Sequence, residues 1–271
     1  MSILHAIVLG IAQGLAEYLP ISSSGHLILI PWLFGWNDFA GDASLEKTFD
    51  VALHLGTLVG AVTYFRSDIR RLVRAAILDP KRKDGRLAWM IALSAVPAAI
   101  TGALLADTIE DHTSIAMIGV MLIVGGLALA WADGALGKRT IDEVTPRDAV
   151  ILGLAQALAL QPGVSRSGVT MTAGRFVGLG RDAAARFAFL MSLPITAGAL
   201  AYKFIDVQGD GGIPDNMRVA FVWGIVSSGI TGYLAVWGTL KLVRSHSFAP
   251  FVIYRLILGT SVLVILATSF R

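Results

Sequence analysis

The chain has 271 residues, 55% of them hydrophobic and only 15% charged, with a mean hydropathy of +0.70. Soluble domains carry about 25% charged residues, and one soluble core cannot hide this much apolar surface, so lipid must be part of the solvent. The net charge of +3 gives no sign of a nucleic-acid partner, because the basic residues cluster in loops where a polytopic protein meets anionic lipid, and the absence of cysteine excludes disulfides and thiolate chemistry.

In chain order, the hydrophobic runs are of two kinds. Residues 2–36 form an apolar region broken near its middle by Leu19-Pro20-Ile21-Ser22-Ser23-Ser24-Gly25-His26. Its start has no basic leader and already contains Gln13 and Glu17, so it does not read as a cleavable signal. Plain spans are predicted at 49–65, 87–106 and 113–132. A second broken region covers 148–180, interrupted by Gln161-Pro162-Gly163-Val164-Ser165-Arg166-Ser167-Gly168, and spans follow at 183–202, 219–240 and 248–270. The runs 87–106, 113–132 and 219–240 contain no charge and are long enough to cross ~30 Å of hydrocarbon as helices. A barrel would instead show ~10-residue alternating strands.

Charge sets the orientation. Residues 66–86 carry eight Lys/Arg, Lys138, Arg139 and Arg147 mark a second basic loop, and Lys241 with Arg244 a third, whereas 37–48, 107–112 and 206–215 are mainly acidic. The positive-inside rule places the basic loops in the cytoplasm. The broken region 2–36 must then end outside, and 148–180 must begin and end inside. A helix that enters, breaks and returns satisfies both, provided the break is buried or lines a watery cavity.

The two broken regions also resemble each other. At an offset of 143, residues 6–26 and 149–169 share ten identities in 21 pairs, among them Gly10/Gly153, Gln13/Gln156, Ser22/Ser165, Ser24/Ser167 and Gly25/Gly168. The expected fold is therefore an all-α polytopic membrane protein with an inverted-topology repeat: six transmembrane helices plus two re-entrant helical hairpins. It forms one integral-membrane domain over 1–271, with halves 1–133 and 146–271 and a cytoplasmic linker around 134–147. Interrupted segments at matching positions point to a site near the membrane midplane.

The first tip supplies Gln13, Glu17, Ser22, Ser23, Ser24 and His26. Gln13 and Glu17, four apart, share a helical face. A carboxylate at membrane depth needs a partner, which could be a cation, a metal, Arg166 or Arg175. One of the three serines is expected to cap the following helix, and His26 can face the same cavity as a base or nucleophile. The second tip has the chemistry of an anion cradle: Gly163 and Gly168 admit the backbone closely, the next helix begins there, and Arg166 offers a fork of donors. That favours a phosphate or diphosphate ligand. Asp50 and His54 either border the cavity or pair with each other, and Arg255 is read as snorkelling.

Gln13-Gly-Leu-Ala-Glu17-Tyr-Leu-Pro-Ile-Ser-Ser-Ser-Gly-His26, Pro162-Gly-Val-Ser-Arg-Ser-Gly-Val-Thr170 and the intervening Phe49…Leu55-Gly56 segment resemble the bacterial undecaprenyl pyrophosphate phosphatases associated with bacitracin resistance. The resemblance runs nearly end to end. It implies a multi-pass enzyme of the bacterial plasma (inner) membrane, acting on a polyprenyl diphosphate lipid. Undecaprenyl diphosphate would be hydrolysed to the monophosphate and inorganic phosphate, recycling the cell-wall carrier and conferring bacitracin resistance. The family pattern often has glutamate where this chain has Gln13, so two motif carboxylates on one metal would require Asp50.

On that basis His26, Glu17, Arg166 and Ser23 are the expected catalytic residues. His26 is the first choice as base or nucleophile, and Ser23, activated by His26 or Glu17, the alternative. Ser22, Gly163, Ser165, Ser167, Gly168 and Thr170 are expected to bind phosphate oxygens. Glu17 with Gln13 is expected to hold a divalent cation, Mg²⁺ or Ca²⁺. The cavity is expected to open to the outer side, and a homodimer is compatible with the glycine-rich run 224–238. A transporter or flippase of the phosphorylated lipid is the competing reading, since inverted repeats with broken helices are transporter architecture. A type 2 phosphatidic acid phosphatase is disfavoured because no histidine follows Ser165-Arg166 within 169–176.

Overall fold

A computed structural model of the protein describes residues 1–209 and 213–268. Asp210, and the side chains of Asp107 and Asp206 from the acidic loops, lie outside the described residues. Among the described residues the hydrophobic runs fold into ten α-helices: α1 (Ile3–Tyr18), α2 (Ser23–Phe34), α3 (Ala43–Leu78), α4 (Lys83–Asp111), α5 (Ile115–Asp133), α6 (Pro146–Ala157), α7 (Arg166–Phe176), α8 (Arg181–Gly209), α9 (Arg218–Val243) and α10 (Ala249–Ala267). Among the described residues five helices, α4, α5, α8, α9 and α10, are long and apolar enough to cross a membrane, and α3 makes a sixth if its two limbs are counted together.

Both broken regions fold as helical hairpins. At 1.5 Å per residue, α1 and α2 are about 24 and 18 Å long, too short to cross ~30 Å of hydrocarbon. The first hairpin closes on itself at its mouth, where His5 Nδ1 lies 2.7 Å from Asp38 Oδ2 and the His5 ring stacks on Trp36 at 3.7 Å. The second closes through Arg139, which donates to the Val177 carbonyl just beyond α7 (2.7 Å) and to Asp148 in the first turn of α6 (2.6 Å). The two mouths lie on opposite faces. Asp68, beyond the crossing limb of α3 that begins near the first mouth, is 3.4 Å from Arg186 on α8, and Arg181 at the start of α8 binds Asp133 at the end of α5 (2.5 Å).

One expectation changes. The basic segment 66–86 is not simply a loop, because α3 bends by 78° between Ala43–Tyr64 and Arg66–Leu78 and continues as helix. The reason is legible afterwards: Arg66, Arg70, Arg71 and Arg74 share the second limb with Ile69, Leu72 and Val73, and Leu72 is buried. Such an amphipathic limb suits an interface.

Helices α1, α9 and α3 meet along a glycine seam. α9 runs between α1 and α3, and small residues let the backbones approach. Gly10 and Gly14 of α1 face Gly224, Ser227 and Thr231, while Gly56 and Gly60 of α3 face Ser228 and Gly229. A Cβ added at Gly56 would lie 2.0 Å from Ser228 Oγ and 2.3 Å from the Ile225 carbonyl oxygen. Polar bonds lock the contact: Ser228 Oγ donates to Leu53 O (2.9 Å) and Tyr18 Oη to Thr57 O (3.0 Å). The run 224–238 thus packs within the bundle at Gly224, Gly229 and Gly232, but a Cβ added at Gly238 would meet nothing within 4 Å.

Gly56→Ala should therefore destabilise the protein by about 1–3 kcal/mol through overpacking, while Gly238→Ala should stay within about 0.5 kcal/mol of the parent. Thermal unfolding in detergent separates them, and equal midpoints for the two variants would contradict a tight seam.

Candidate active site

Each tip is built the same way. Pro20 ends α1 by excluding a helical backbone at the preceding residue, and Leu19 is extended (φ −68°, ψ 140°). Ser22 then takes φ 76° and Ser165, its counterpart in the second tip, φ 71°. Non-glycine residues rarely adopt this region. Each uses its hydroxyl to cap the following helix, Ser22 on the Gly25 amide (3.4 Å) and Ser165 on the Gly168 amide (3.1 Å). The expected serine cap is thus Ser22.

The tips are knitted together. Gly163 N donates to Ser22 Oγ (3.0 Å) and Ser167 Oγ to the Leu19 carbonyl (3.0 Å). Behind them lies Arg255 of α10, with 0% exposure. Its guanidinium donates to Pro20 O in the first tip, Gly163 O and Val164 O in the second, and Met121 O and Leu122 O in α5, all at 3.0–3.1 Å. The snorkelling reading is therefore wrong: the broken helices leave carbonyls that lipid cannot satisfy, and Arg255 is drawn inward to satisfy them. Gly125 makes room, since a Cβ there would lie 2.1 Å from Arg255 Nη2.

In front of the tips is a cavity of about 360 Å³ lined by Glu17, Ser22, Ser23, Ser24, His54, Gln156, Ser165, Arg166 and Thr196, with Val51, Ala98, Leu160, Ile195 and Leu200 as an apolar wall. Glu17 is its centre. One carboxylate oxygen is ion-paired with Arg166. The other accepts from Ser23 Oγ at 2.7 Å and from Gln13 Nε2 at 3.1 Å, and lies 3.7 Å from His54 Nε2. Arg166 is held from its far side by Thr196 Oγ1 (2.7 Å). Of the two arginines considered as partners for Glu17, then, Arg166 is the one found. Arg175 instead binds the carbonyls of Ala135, Gly137 and Leu179.

The expected site residues divide. Glu17, Ser22, Ser23, Ser165 and Arg166 reach the cavity. Gly163, Ser167, Gly168 and Thr170 do not line it: the first three join or cap the tips, and Thr170 Oγ1 returns to the Arg166 carbonyl (2.7 Å). His26 also stands apart. Its Nδ1 is 2.7 Å from Ser22 O, so this nitrogen carries the proton, and its Nε2 accepts from Tyr254 Oη at 2.6 Å. With both nitrogens engaged in a ring that is 8% exposed, His26 presents no free lone pair to the cavity.

Three contributors were not singled out for the site by the sequence. Thr196 and Arg255 are two of them. Gln156 is the third: it lines the cavity at 3% exposure, and neither of its amide atoms has a partner among the described residues. Its pairing with Gln13 across the 143-residue offset was the available signal. For the metal pair, the donor set does not fit. The Gln13 amide nitrogen faces Glu17, as a carboxylate requires, which turns its oxygen away, and Gln13 is fully buried. Both Glu17 oxygens are already engaged, and among the described residues no three His, Asp or Glu side chains gather as a metal set.

A family model described as "Bacitracin resistance protein BacA" matches residues 6–261. The chain belongs to the BacA family. Relatives named undecaprenyl-diphosphatase include those of Geobacter sulfurreducens (48% identical, 98% of this chain and 99% of the relative), Pelobacter propionicus (46%, 99% of each) and Pelotomaculum thermopropionicum (45%, 98% of each). The BacA match covers both tips and every helix that borders the cavity.

If Arg255 holds the tips in register, Arg255→Met should cost about 3–5 kcal/mol of stability, because several buried carbonyls lose their donor together, and Arg255→Lys less. Unfolding midpoints in detergent read this directly, and a Met variant as stable as the parent would contradict the tip-holding role.

Proposed function

We propose that this chain is a membrane-embedded undecaprenyl-diphosphatase, removing the terminal phosphate of undecaprenyl diphosphate to leave the monophosphate and inorganic phosphate. The observation that carries the reading is the Ser23 hydroxyl held 2.7 Å from a Glu17 carboxylate whose other oxygen pairs with Arg166, beside an apolar wall. A nucleophile, a base and an anion binder therefore share one cavity. The names of the relatives support the enzyme over a transporter, which would need the anion site but no activated serine.

Phosphoryl transfer is mainly positioning and charge stabilisation. The diphosphate competes with Glu17 for Arg166, and its oxygens also meet Gln156, Ser165 and Ser22. Released from Arg166, Glu17 takes the Ser23 proton as Ser23 Oγ attacks the terminal phosphorus. The bond to the bridging oxygen breaks, and that oxygen leaves as part of undecaprenyl monophosphate. Ser23 rather than His26 is the nucleophile in this reading, because Ser23 touches the base and faces the cavity. A divalent cation, Mg²⁺ or Ca²⁺, would be held by the diphosphate oxygens rather than by Glu17 and Gln13, and would offset the charge of the substrate.

The cavity reaches Lys47 and Asp50 in the first turns of α3, near the mouth of the first hairpin. Taken with the acidic loops, this supports opening on the outer face of the bacterial inner membrane. The shared tip geometry supports reading 1–133 and 146–271 as inverted copies. Self-association through the lipid-facing side of α9 belongs to the same proposal and is read from the particle mass in detergent.

Purified protein should release phosphate from undecaprenyl diphosphate, and chelation should suppress that release. Ser23→Ala and Arg166→Ala should each lower turnover by at least ~100-fold, with His26→Ala milder than either. A Ser23→Ala variant with parental turnover would remove serine as nucleophile. Well-folded protein that binds the lipid and releases no phosphate would favour the transporter. Asp42→Cys should react with an impermeant thiol reagent from outside intact cells, and protection there would invert the orientation.

A further inference from the structure

Attack by Ser23 completes only half of a hydrolysis. It leaves a phosphoserine, and Glu17 then holds the proton that Ser23 Oγ must recover on departure. Water attacking the phosphoserine needs a second base, because one carboxyl group cannot keep a proton for the leaving oxygen and accept another from the nucleophile.

His54 is placed for that role. It lies on the crossing limb of α3, lines the cavity with a side chain 32% exposed, and sets Nε2 3.7 Å from Glu17 Oε2. Its Nδ1 is 2.8 Å from the Asp50 backbone carbonyl. A carbonyl oxygen only accepts, so Nδ1 carries the ring proton, and in the neutral imidazole Nε2 is the lone-pair nitrogen presented to the cavity. His26 offers the contrast: there the same Nδ1-to-carbonyl bond is made, but Tyr254 already occupies Nε2.

We infer that His54 is a further catalytic residue, the base that activates water against a phosphoserine formed at Ser23. The inference rests on the hydrolase reading above. Water gives one proton to His54 Nε2 as its oxygen bonds to phosphorus. The P–Oγ bond breaks, Ser23 Oγ regains its proton from Glu17, inorganic phosphate leaves, and His54 passes its proton to water in the open cavity. No oxidant or further co-reactant is involved.

The test follows undecaprenyl diphosphate labelled with ³²P in the terminal phosphate, using the full chain in detergent as wild type, His54→Ala, His54→Gln and Ser23→Ala. Gln keeps polar bulk and an amide donor for the Asp50 carbonyl but supplies no base, so it carries the test if Ala fails to fold. Both His54 variants should release phosphate at least ~100-fold more slowly than wild type. They should also show a burst of about one undecaprenyl monophosphate per protein, with label retained on the peptide containing Ser23. Imidazole in the buffer should restore release in His54→Ala. Parental turnover in the His54 variants would overturn the inference. So would slow turnover with no retained label and no response to imidazole, the outcome expected of a residue that only packs α3. Wild-type protein that releases no phosphate would instead remove the hydrolase reading on which the inference stands.

Discussion

The architecture depends on a cation with no carboxylate partner among the described residues. Arg255 is wholly buried and binds five backbone carbonyls drawn from the two broken tips and from α5. Each side of this arrangement requires the other. A helix broken inside a membrane leaves carbonyls that no lipid can satisfy, and a guanidinium at that depth is expensive unless its donors are all used. An apolar residue at 255 would leave the tips unmet, and intact helices at the tips would leave the arginine unmet. The device fixes position as well as energy, because five bonds from one planar group leave little freedom for either tip to slide. Ser23 and Arg166 sit one or two residues beyond carbonyls or caps held in this way, so the distance between them is set from behind the cavity.

That rigid backing explains how a carboxylate can stand in the bundle at all. Glu17 is 6% exposed and receives an arginine on one oxygen, and a hydroxyl and an amide on the other. The pair with Arg166 neutralises both partners while no phosphate is bound, and it makes the arginine available to a stronger anion without leaving a bare charge beforehand. Serine rather than glycine at the two positive-φ positions adds a hydroxyl to cap each helix, and in the first tip that hydroxyl also accepts the Gly163 amide. The strain at Ser22 and Ser165 is the kind that persists only where the surroundings over-determine the backbone. Here the surroundings are the opposite tip.

Much of this was legible in the sequence, and the misreadings share one cause. Hydrophobic runs broken by Pro, Gly and Ser located both hairpins, and the i, i+4 spacing of Gln13 and Glu17 gave a real hydrogen bond. These are local signals. Arg255 was misjudged because its partners come from segments about 90 to 235 residues away, whereas a lone arginine in an apolar span looks locally like one that snorkels. His26 stands three residues from Ser23 yet turns to Tyr254, 228 positions distant. Gly163, Ser167 and Gly168 do look like an anion cradle, but the backbone donors and hydroxyls of that motif are largely consumed in joining the tips. The basic second limb of α3 was hidden as a helix because charge alone suggested a loop, while the apolar stripe of Ile69, Leu72 and Val73 was the informative part.

The seam of α1, α9 and α3 finally explains why the chemistry can sit on a break rather than on regular helix. Ser23 lies just past α1, and His54 is carried by α3. Both helices are clamped to α9 where Gly10, Gly14, Gly56 and Gly60 allow near-contact of backbones. In lipid there is little hydrophobic drive to bring helices together, so close packing and interhelical hydrogen bonds must supply the cohesion. On α3 the seam glycines Gly56 and Gly60 lie on one side, and Asp50, Val51 and His54 line the cavity from another. Polar groups then gather where the tips meet, and Ala98, Leu160, Ile195 and Leu200 give the cavity an apolar wall. A lipid diphosphate presented to that boundary can place its charged end among fixed donors while its chain remains in a hydrocarbon-like setting. The broken helices are thus what bring backbone polarity and side-chain charge to the depth at which such a substrate resides.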